Sequence, residues 1–277
     1  MREAVIGALR CPVCARELSR ADGGLRCEAG HAFDMARQGY LNLLTGRAPA
    51  GVETPEMVAA RTEIFEAGHL VPVSAAIVSA LPAWVDLIVD VGAGTGHHLA
   101  AALTARPGSA GIAVDVSKAA ARRCARLHPA LSSVVADVRR RLPLADGCAD
   151  VVLDVFAPRH GSEFHRILSP TGTLIVVTPT PAHLAELVAP LGLLSVDPAK
   201  GERVEESLGR WFELTTRSAH RYALTLSREE AARFVAMGPS AWHVGPERVS
   251  AVLADWAEPL KVSVSVEVTT YGRRTQR

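Results

Sequence analysis

Lysine is almost missing from this chain, with only Lys118, Lys200 and Lys261 among its 30 cationic residues. Its positive charge is carried by arginine, whose flat, permanently charged fork suits bidentate contacts with phosphate. A surplus of either sign is also missing, because 30 Lys and Arg stand against 29 Asp and Glu for a formal net charge of +1. Coating of nucleic acid through bulk charge is thereby excluded, although a local basic face is not. Aromatic residues supply only 5% of the chain. No uninterrupted apolar run reaches the ~20 residues that a membrane helix needs, and Met1 to Arg10 lack the apolar stretch of a secretory signal. A cytoplasmic location without membrane contact is the expectation. The five cysteines are an odd number, and Cys11, Cys14 and Cys27 lie close together, which favours metal ligation over a disulfide framework.

With 277 residues and 48% hydrophobic content, the chain can bury a full core and a small appended module. Three textures divide it. Residues 1–44 are rich in Cys, Gly and Arg and show no long helical period, as in a loop-dominated knuckle. Residues 45–55 (TGRAPAGVETP) hold two Gly and two Pro and read as a linker, which places a domain boundary there. Met57, Ile64, Leu70, Ile77 and Leu81 then recur at roughly helical spacing, broken near Gly68 and Pro72, so 45–85 reads as a linker followed by two connecting helices. From 86 to 277 the pattern is that of a main domain. Short β-branched runs at 87–91, 110–114, 133–136, 151–155 and 173–177 alternate with Ala- and Leu-rich helical stretches, the pattern of an α/β fold with a parallel sheet. Further on, Tyr222–Leu226 and Lys261–Thr269 are expected as antiparallel edge strands around a helix at Arg228–Met237.

Cys11, Cys14, Cys27 and His31 form a CxxC followed by a CxxxH. Two thiolates two residues apart grip one ion from a tight turn, and the second pair completes the tetrahedron of a structural zinc site. One Zn2+ per chain is expected, with no coordination position left for chemistry. So short a segment lacks an adequate core of its own, so metal removal is expected to unfold it selectively. Cys124 and Cys148 lie far along the sequence and are expected as ordinary small residues.

Residues 87–96 form an apolar strand running into a turn with Gly92, Gly94 and Gly96 at alternate positions, followed by a helical stretch from His97. Such glycines bring backbone amides close to a ligand at a helix start. The dinucleotide fingerprint requires a third glycine where His97 stands, so the ligand is a different nucleotide-like cofactor. Acidic residues follow at successive strand ends: Asp115, placed to accept from ribose hydroxyls, then Asp137.

This turn, with Asp90 ahead of its first glycine, resembles the first motif of class I methyltransferases. The resemblance implies a Rossmann-like domain binding S-adenosyl-L-methionine, with Asp90 near the methionine end, Asp137 near the adenine, and Thr95 in the turn. Residues 150–158 (DVVLDVFAP) resemble the fourth motif of that class, where Asp154 would lie near the reacting methyl.

Four stretches taken together resemble a narrower family, the bacterial 23S rRNA guanine-N1 methyltransferases. They are CPVC with CEAGHAFDMARQGYLNLL, MVAARTEIFEAGHLVPV, DVGAGTGHH with VDVSK, and FAPRH with TPTPAHLAEL. The resemblance implies a homodimer whose zinc modules help to form an RNA cleft. Its target is a guanine in a hairpin loop of 23S rRNA that lines the peptide exit tunnel, and one branch resists tylosin- or mycinamicin-type macrolides. It places cofactor contacts at Gly94, Thr95 and His183, and at Leu70 where the family often has an aromatic residue. Guanine N1 carries a proton, and Asp154 is a candidate to take it; orienting the base or pairing with Arg159 is the equal alternative. Arg10, Arg16, Arg20, Arg26 and Arg37, with Arg139, Arg140 and Arg141, are candidate RNA contacts, and no DNA partner is expected. Two other functions remain open on sequence: a small-molecule methyltransferase stapled by zinc, and an inactive zinc-ribbon regulator that binds nucleic acid.

Overall fold

In the computed structural model, residues 1–197 and 206–275 are described, so 198–205 and 276–277 of the expected main domain, Lys200 among them, lie outside the described residues. The chain opens with a short helix α1 (Glu3–Ala8) and a three-stranded antiparallel sheet of β1 (Leu18–Ala21), β2 (Gly24–Cys27) and β3 (Ala32–Asp34). A two-residue strand β4 (Leu41–Asn42) follows. The linker leads into α2 (Pro55–Glu66), which Thr54 caps by accepting from the Met57 N–H at 3.3 Å, and then into α3 (Val71–Ala80).

The doubly wound part runs β5 (Leu87–Val91), α4 (His97–Ala105), β6 (Ala110–Asp115), α5 (Lys118–Cys124), β7 (Leu131–Val135), β8 (Ala149–Val155), α6 (Gly161–Ile167) and β9 (Leu168–Pro179). After α7 (Ala185–Leu191) come β10 (Phe212–Leu226), α8 (Arg228–Ala236), α9 (Pro246–Ala254) and β11 (Leu260–Arg273). One eight-stranded sheet has the order β10-β11-β9-β8-β5-β6-β7-β4. Strands β4 to β9 pair in parallel, whereas β11 is antiparallel to both of its neighbours, so β10 runs with the parallel set.

Two sequence expectations are corrected here. The Lys261–Thr269 strand lies inside the sheet, between β9 and β10, and is longer than its alternation indicates. Its serines and threonines are buried, Ser263 donating to Glu186 of α7 and Ser265 accepting from the Thr180 hydroxyl, each at 2.7 Å, so VSVSVEV does not mark a solvated face. The third parallel strand occupies 131–135 rather than 133–136, leaving Asp137 in the following loop.

The N-terminal segment is built into this sheet. GYLNLL supplies β4, paired with β7, and the Leu43 N–H donates to the Val135 carbonyl at 2.9 Å. Arg10 and Ala145 backbone amides bond across to Pro143 and Ala8, at 2.8 Å each. Val5, Ile6, Leu9, Leu18, Leu25, Leu41 and Leu43 share one apolar cluster with Val89, Ile112 and Val114 of the sheet. The opposite face carries α2, α3, α4 and the C-terminal helices in a second cluster. A fully buried strand such as β5 requires cover on both sides, and on one side the zinc-ligating segment helps to provide it.

Candidate functional site

Strand ends converge where β5, β6, β7 and β8 finish at one edge of the sheet. The Gly92 N–H donates to the Val114 carbonyl at 2.8 Å, and the Ala136 N–H to the Asp115 carbonyl at 3.0 Å. Gly92 has φ +78°, and a Cβ added there would lie 2.5 Å from the Ala157 Cβ. Only glycine lets the two loops close. Gly96, also left-handed, leads directly into α4.

Asp115 organises the turn. One carboxylate oxygen accepts the Gly94 N–H and the other the Ser117 N–H, each at 2.8 Å. Asp90 is 2% exposed, and its Oδ1 has no hydrogen-bond partner. Burial raises its carboxyl to about 8, with Asp115 and Asp154 adding to the effect. Thr95 is buried, and its hydroxyl meets the His97 Nδ1 at 2.9 Å.

Arg61 and Glu53 also belong here, although sequence reasoning passed over both. The Arg61 guanidinium lies against Gly94, 2.6 Å from where a Cβ would sit. It pairs with Glu53 from the linker and donates to the Met237 carbonyl at 3.0 Å. Burial raises the Glu53 carboxyl, an effect that Arg61 opposes and Asp115 reinforces. Thus Glu53 and Asp115 both lie close to the Arg61 guanidinium. The signal available beforehand was the arginine inside MVAARTEIFEAGHLVPV, together with an acid at the end of a linker otherwise poor in polar function.

The other expected residues divide into two groups. Leu70 is buried at the start of α3 in the helical cluster. His183 follows β9, where its Nδ1 accepts the Ser265 N–H at 3.3 Å and its ring stands 5.9 Å from that of Phe156. Phe156 is 42% exposed with φ +56°, a strained conformation for a bulky residue. Asp137 is occupied by its own turn: Arg139 donates to it at 3.2 Å and Arg140 lies 3.6 Å away. Burial alone would raise this carboxyl, but these arginines hold it below the usual range.

Asp154 is fully enclosed. It pairs in register with Val176, whose side chain belongs to the face covered by the N-terminal segment; Asp90 pairs with Leu153 on the helical face. The two carboxylates therefore project from opposite sides of the sheet.

At the other end of the molecule, Cys11, Cys14, Cys27 and His31 offer ligand atoms that all lie within 4.8 Å of one another. Cys14 and Cys27 sulfurs are 3.7 Å apart, and the His31 Nδ1 lies 3.6 Å from Cys11 and 3.3 Å from Cys27. A tetrahedron with Zn–S bonds of about 2.3 Å has edges near these lengths, so the four residues fit the ion. Burial opposes ionisation of the Cys27 thiol, yet hydrogen bonds from His31 and the neighbouring thiols outweigh it and bring the group to about 6. A thiol poised to ionise suits a metal ligand.

The family described as "RlmA, N-terminal" matches residues 9–47, and the family described as "Methyltransferase domain" matches residues 88–172. A Streptomyces fradiae protein named 23S rRNA (guanine(748)-N(1))-methyltransferase is 46% identical over 274 residues, covering 97% of this chain and 98% of that one. This chain belongs to the 23S rRNA (guanine-N1)-methyltransferase family. A Micromonospora griseorubida protein assigned by name to the same family is 52% identical over 95% of this chain and 96% of its own, and Bacillus subtilis (strain 168) YxjB is 31% identical over 93% and 95%. Among solved structures, the methyltransferase in complex with the Haloferax volcanii Trm112 activator gives a TM-score of 0.54 at 18% identity, covering 82% of this chain and 100% of that one. A Bacillus halodurans methyltransferase gives 0.51 at 16%, over 73% and 97%. At such identities these structures show the class I fold. The cofactor of this family member is S-adenosyl-L-methionine, and its structural metal is zinc. The unpartnered Asp90 oxygen and the glycine cradle beside Arg61 fit a ligand carrying both cationic and anionic groups.

Proposed function

We propose that this chain methylates N1 of a guanine in a 23S rRNA hairpin loop, at the position equivalent to guanine 748 in the name of the Streptomyces relative. The observation that carries this is identity of 46% over nearly the whole of both chains, spanning zinc ligands and methyltransferase motifs alike. Incubation with labelled cofactor and rRNA, followed by mapping of the modified nucleotide, tests it. Label in a small molecule, or none in RNA, would refute it.

When bound, S-adenosyl-L-methionine supplies a methyl group already activated on sulfonium. The chain has to bind, align and exclude water. Gly94 and Thr95 would line the bound cofactor, Asp115 would accept from its ribose, Asp90 would take its ammonium and Arg61 its carboxylate. Leu70 and His183 would supply further contacts to it. With its Nδ1 accepting from Ser265, the neutral His183 ring carries its proton on Nε2 and acts there as a donor.

A carboxyl whose proton is held up to about 8 in the native state makes the free protein less stable as pH rises from the usual carboxylate range toward 8. An ammonium against Asp90 favours the ionised form. Cofactor binding at pH 7 is therefore expected to release up to one proton, and affinity is expected to climb with pH until about 8. Calorimetry in buffers of different ionisation heat reads this directly, and binding without proton release would exclude the Asp90–ammonium contact.

Phe156 is the exposed ring on which an unstacked guanine rests. Since stacking of one base contributes about 1–3 kcal/mol, Phe156→Ala is expected to lower turnover on RNA by roughly 5- to 150-fold and to leave cofactor affinity unchanged. Loss of cofactor binding in that variant would reassign the ring. Asp154 acts through Asp90, whose proton it helps to hold, rather than as proton acceptor. Asp154→Asn is then expected to keep near-normal turnover at pH 7 while shifting the cofactor-linked proton release. Collapse of turnover with Asp90 titration unmoved would restore the base role.

The active form is a homodimer in the cytoplasm, to be checked by light scattering. The domain limits proposed are 1–44 for RNA recognition, 45–85 for the connection and 86–277 for catalysis. Methylation in the exit tunnel protects against tylosin- or mycinamicin-type macrolides, and an unchanged inhibitory concentration on expression in a sensitive host would count against that role.

A further inference from the structure

The arginines that sequence marked for RNA are largely occupied. Arg10 pairs with Glu17 at 3.5 Å, Arg16 with Glu28 at 3.7 Å, Arg20 with Glu3 at 2.6 Å and Arg141 with Asp146 at 3.7 Å. Arg139 and Arg140 share Asp137. A phosphate at any of these positions must displace a carboxylate first.

A different set is unclaimed. Arg122, Arg123 and Arg126, at and just beyond the end of α5, are exposed, and no ion pair or side-chain hydrogen bond holds any of them among the described residues. All three line a groove of about 340 Å³ between α2, α4 and α5, closed on one side by Gln38 of the N-terminal segment. That volume is within the range of small ligand sites. Among the described residues, Glu66 is the single acid on its wall. The remaining wall includes His97, whose ring stacks on Phe65 at 4.3 Å with an interplanar angle of 1°. Burial lowers His97 to about 4, so it is neutral at working pH, and three arginines against one glutamate leave the groove cationic. Its position also matters: His97 begins α4 immediately after the glycine turn and touches the Thr95 hydroxyl. An occupant of the groove therefore lies beside the cofactor loop and against both the N-terminal segment and the catalytic domain.

We propose that the Arg122–Arg123–Arg126 groove seats the phosphodiester backbone of the RNA substrate, flanking the nucleotide that enters the site. Planar guanidinium forks match phosphate oxygens bidentately, and Gln38 adds a neutral donor. The inference rests on the RNA reading above, but it names a surface that this reading does not require.

The test compares zinc-loaded, full-length wild type with the triple variant Arg122→Gln, Arg123→Gln, Arg126→Gln, using a transcript of the 23S hairpin. Affinity is measured across a salt series, and S-adenosylhomocysteine binding by calorimetry reports an intact fold and cofactor site. Each phosphate contact contributes a slope of about 0.7–0.9 in log Kd against log salt. Removal of the three is expected to lower the slope by about 2 to 3 and to weaken RNA binding by tenfold or more near 0.15 M salt, with S-adenosylhomocysteine affinity unchanged. The matching triple variant of Arg139, Arg140 and Arg141 is expected to change the slope by less than one. An unaltered slope in the α5 variant, with RNA bound and methylated, overturns the groove alone. Failure of the wild type to bind the transcript overturns the RNA reading and the groove together. Should the triple variant lose S-adenosylhomocysteine binding, the three single variants, each altering one exposed side chain, decide by the same slope.

Discussion

Stripping zinc with a chelator, or replacing Cys14 by serine, is expected to lower the melting temperature of the entire chain in one transition, by about 10 °C or more. Structural zinc in small modules contributes apparent binding energies of about 10–16 kcal/mol at pH 7, as large as the ~5–15 kcal/mol that holds a whole domain together. For a chain of this size each kcal/mol moves the midpoint by about 2–4 °C. Were the first 44 residues a pendant module, as the sequence leads one to expect, their loss would leave the sheet's own transition in place. The structure argues otherwise. Cys11 and Cys27 are themselves buried in the cluster that contains Val89, Ile112 and Val114, and β4 is hydrogen-bonded to β7. Loosening the knuckle uncovers one face of β5, β6 and β7. Scanning calorimetry with and without metal is the measurement, and two transitions with the upper one unmoved would show that the shared core does not couple them.

The second large effect is expected at Arg61. Arg61→Met removes the cation that pairs with Glu53 and lies close to Asp115, and with it the partner proposed for the cofactor's carboxylate. Hydrogen bonds to charged groups contribute about 1.5–3 kcal/mol, so S-adenosylhomocysteine is expected to bind roughly 10- to 150-fold more weakly. 5′-Methylthioadenosine has the same adenosine and sulfur without the amino acid end. Its affinity should change little, which also confirms that the variant folds. Calorimetry with both ligands reads the difference. Equal weakening of the two would mean that Arg61 supports the turn through Glu53 and does not meet the carboxylate.

Much of the fold was legible because apolar strands and punctuating glycines leave local marks. Leu87–Val91 was read to the residue, and the helices at 55–66 and 71–80 lie where the break at Gly68 and Pro72 places them. The four zinc ligands do come together, since a CxxC and a CxxxH each close a turn by themselves. What escaped depends on contacts distant in sequence. Nothing local in Leu41–Asn42 distinguishes a knuckle residue from an edge strand of a parallel sheet. The same holds for Glu53, which reads as a linker acid until Arg61 and Asp115 are beside it. Arginines carry no sign in sequence of whether a carboxylate already holds them, so Arg20 and Arg122 look equally available there and differ only in space.

The cover that residues 1–44 give to the sheet also bears on how the protein is made. Val5, Leu9, Leu41 and Leu43 leave the ribosome well before β7 and β8, two of the strands whose surface they will cover. During that interval the nascent segment can close only around its metal, with its apolar side bare and open to misassociation. Zinc supply during translation, rather than zinc content afterwards, would then govern the yield of folded enzyme.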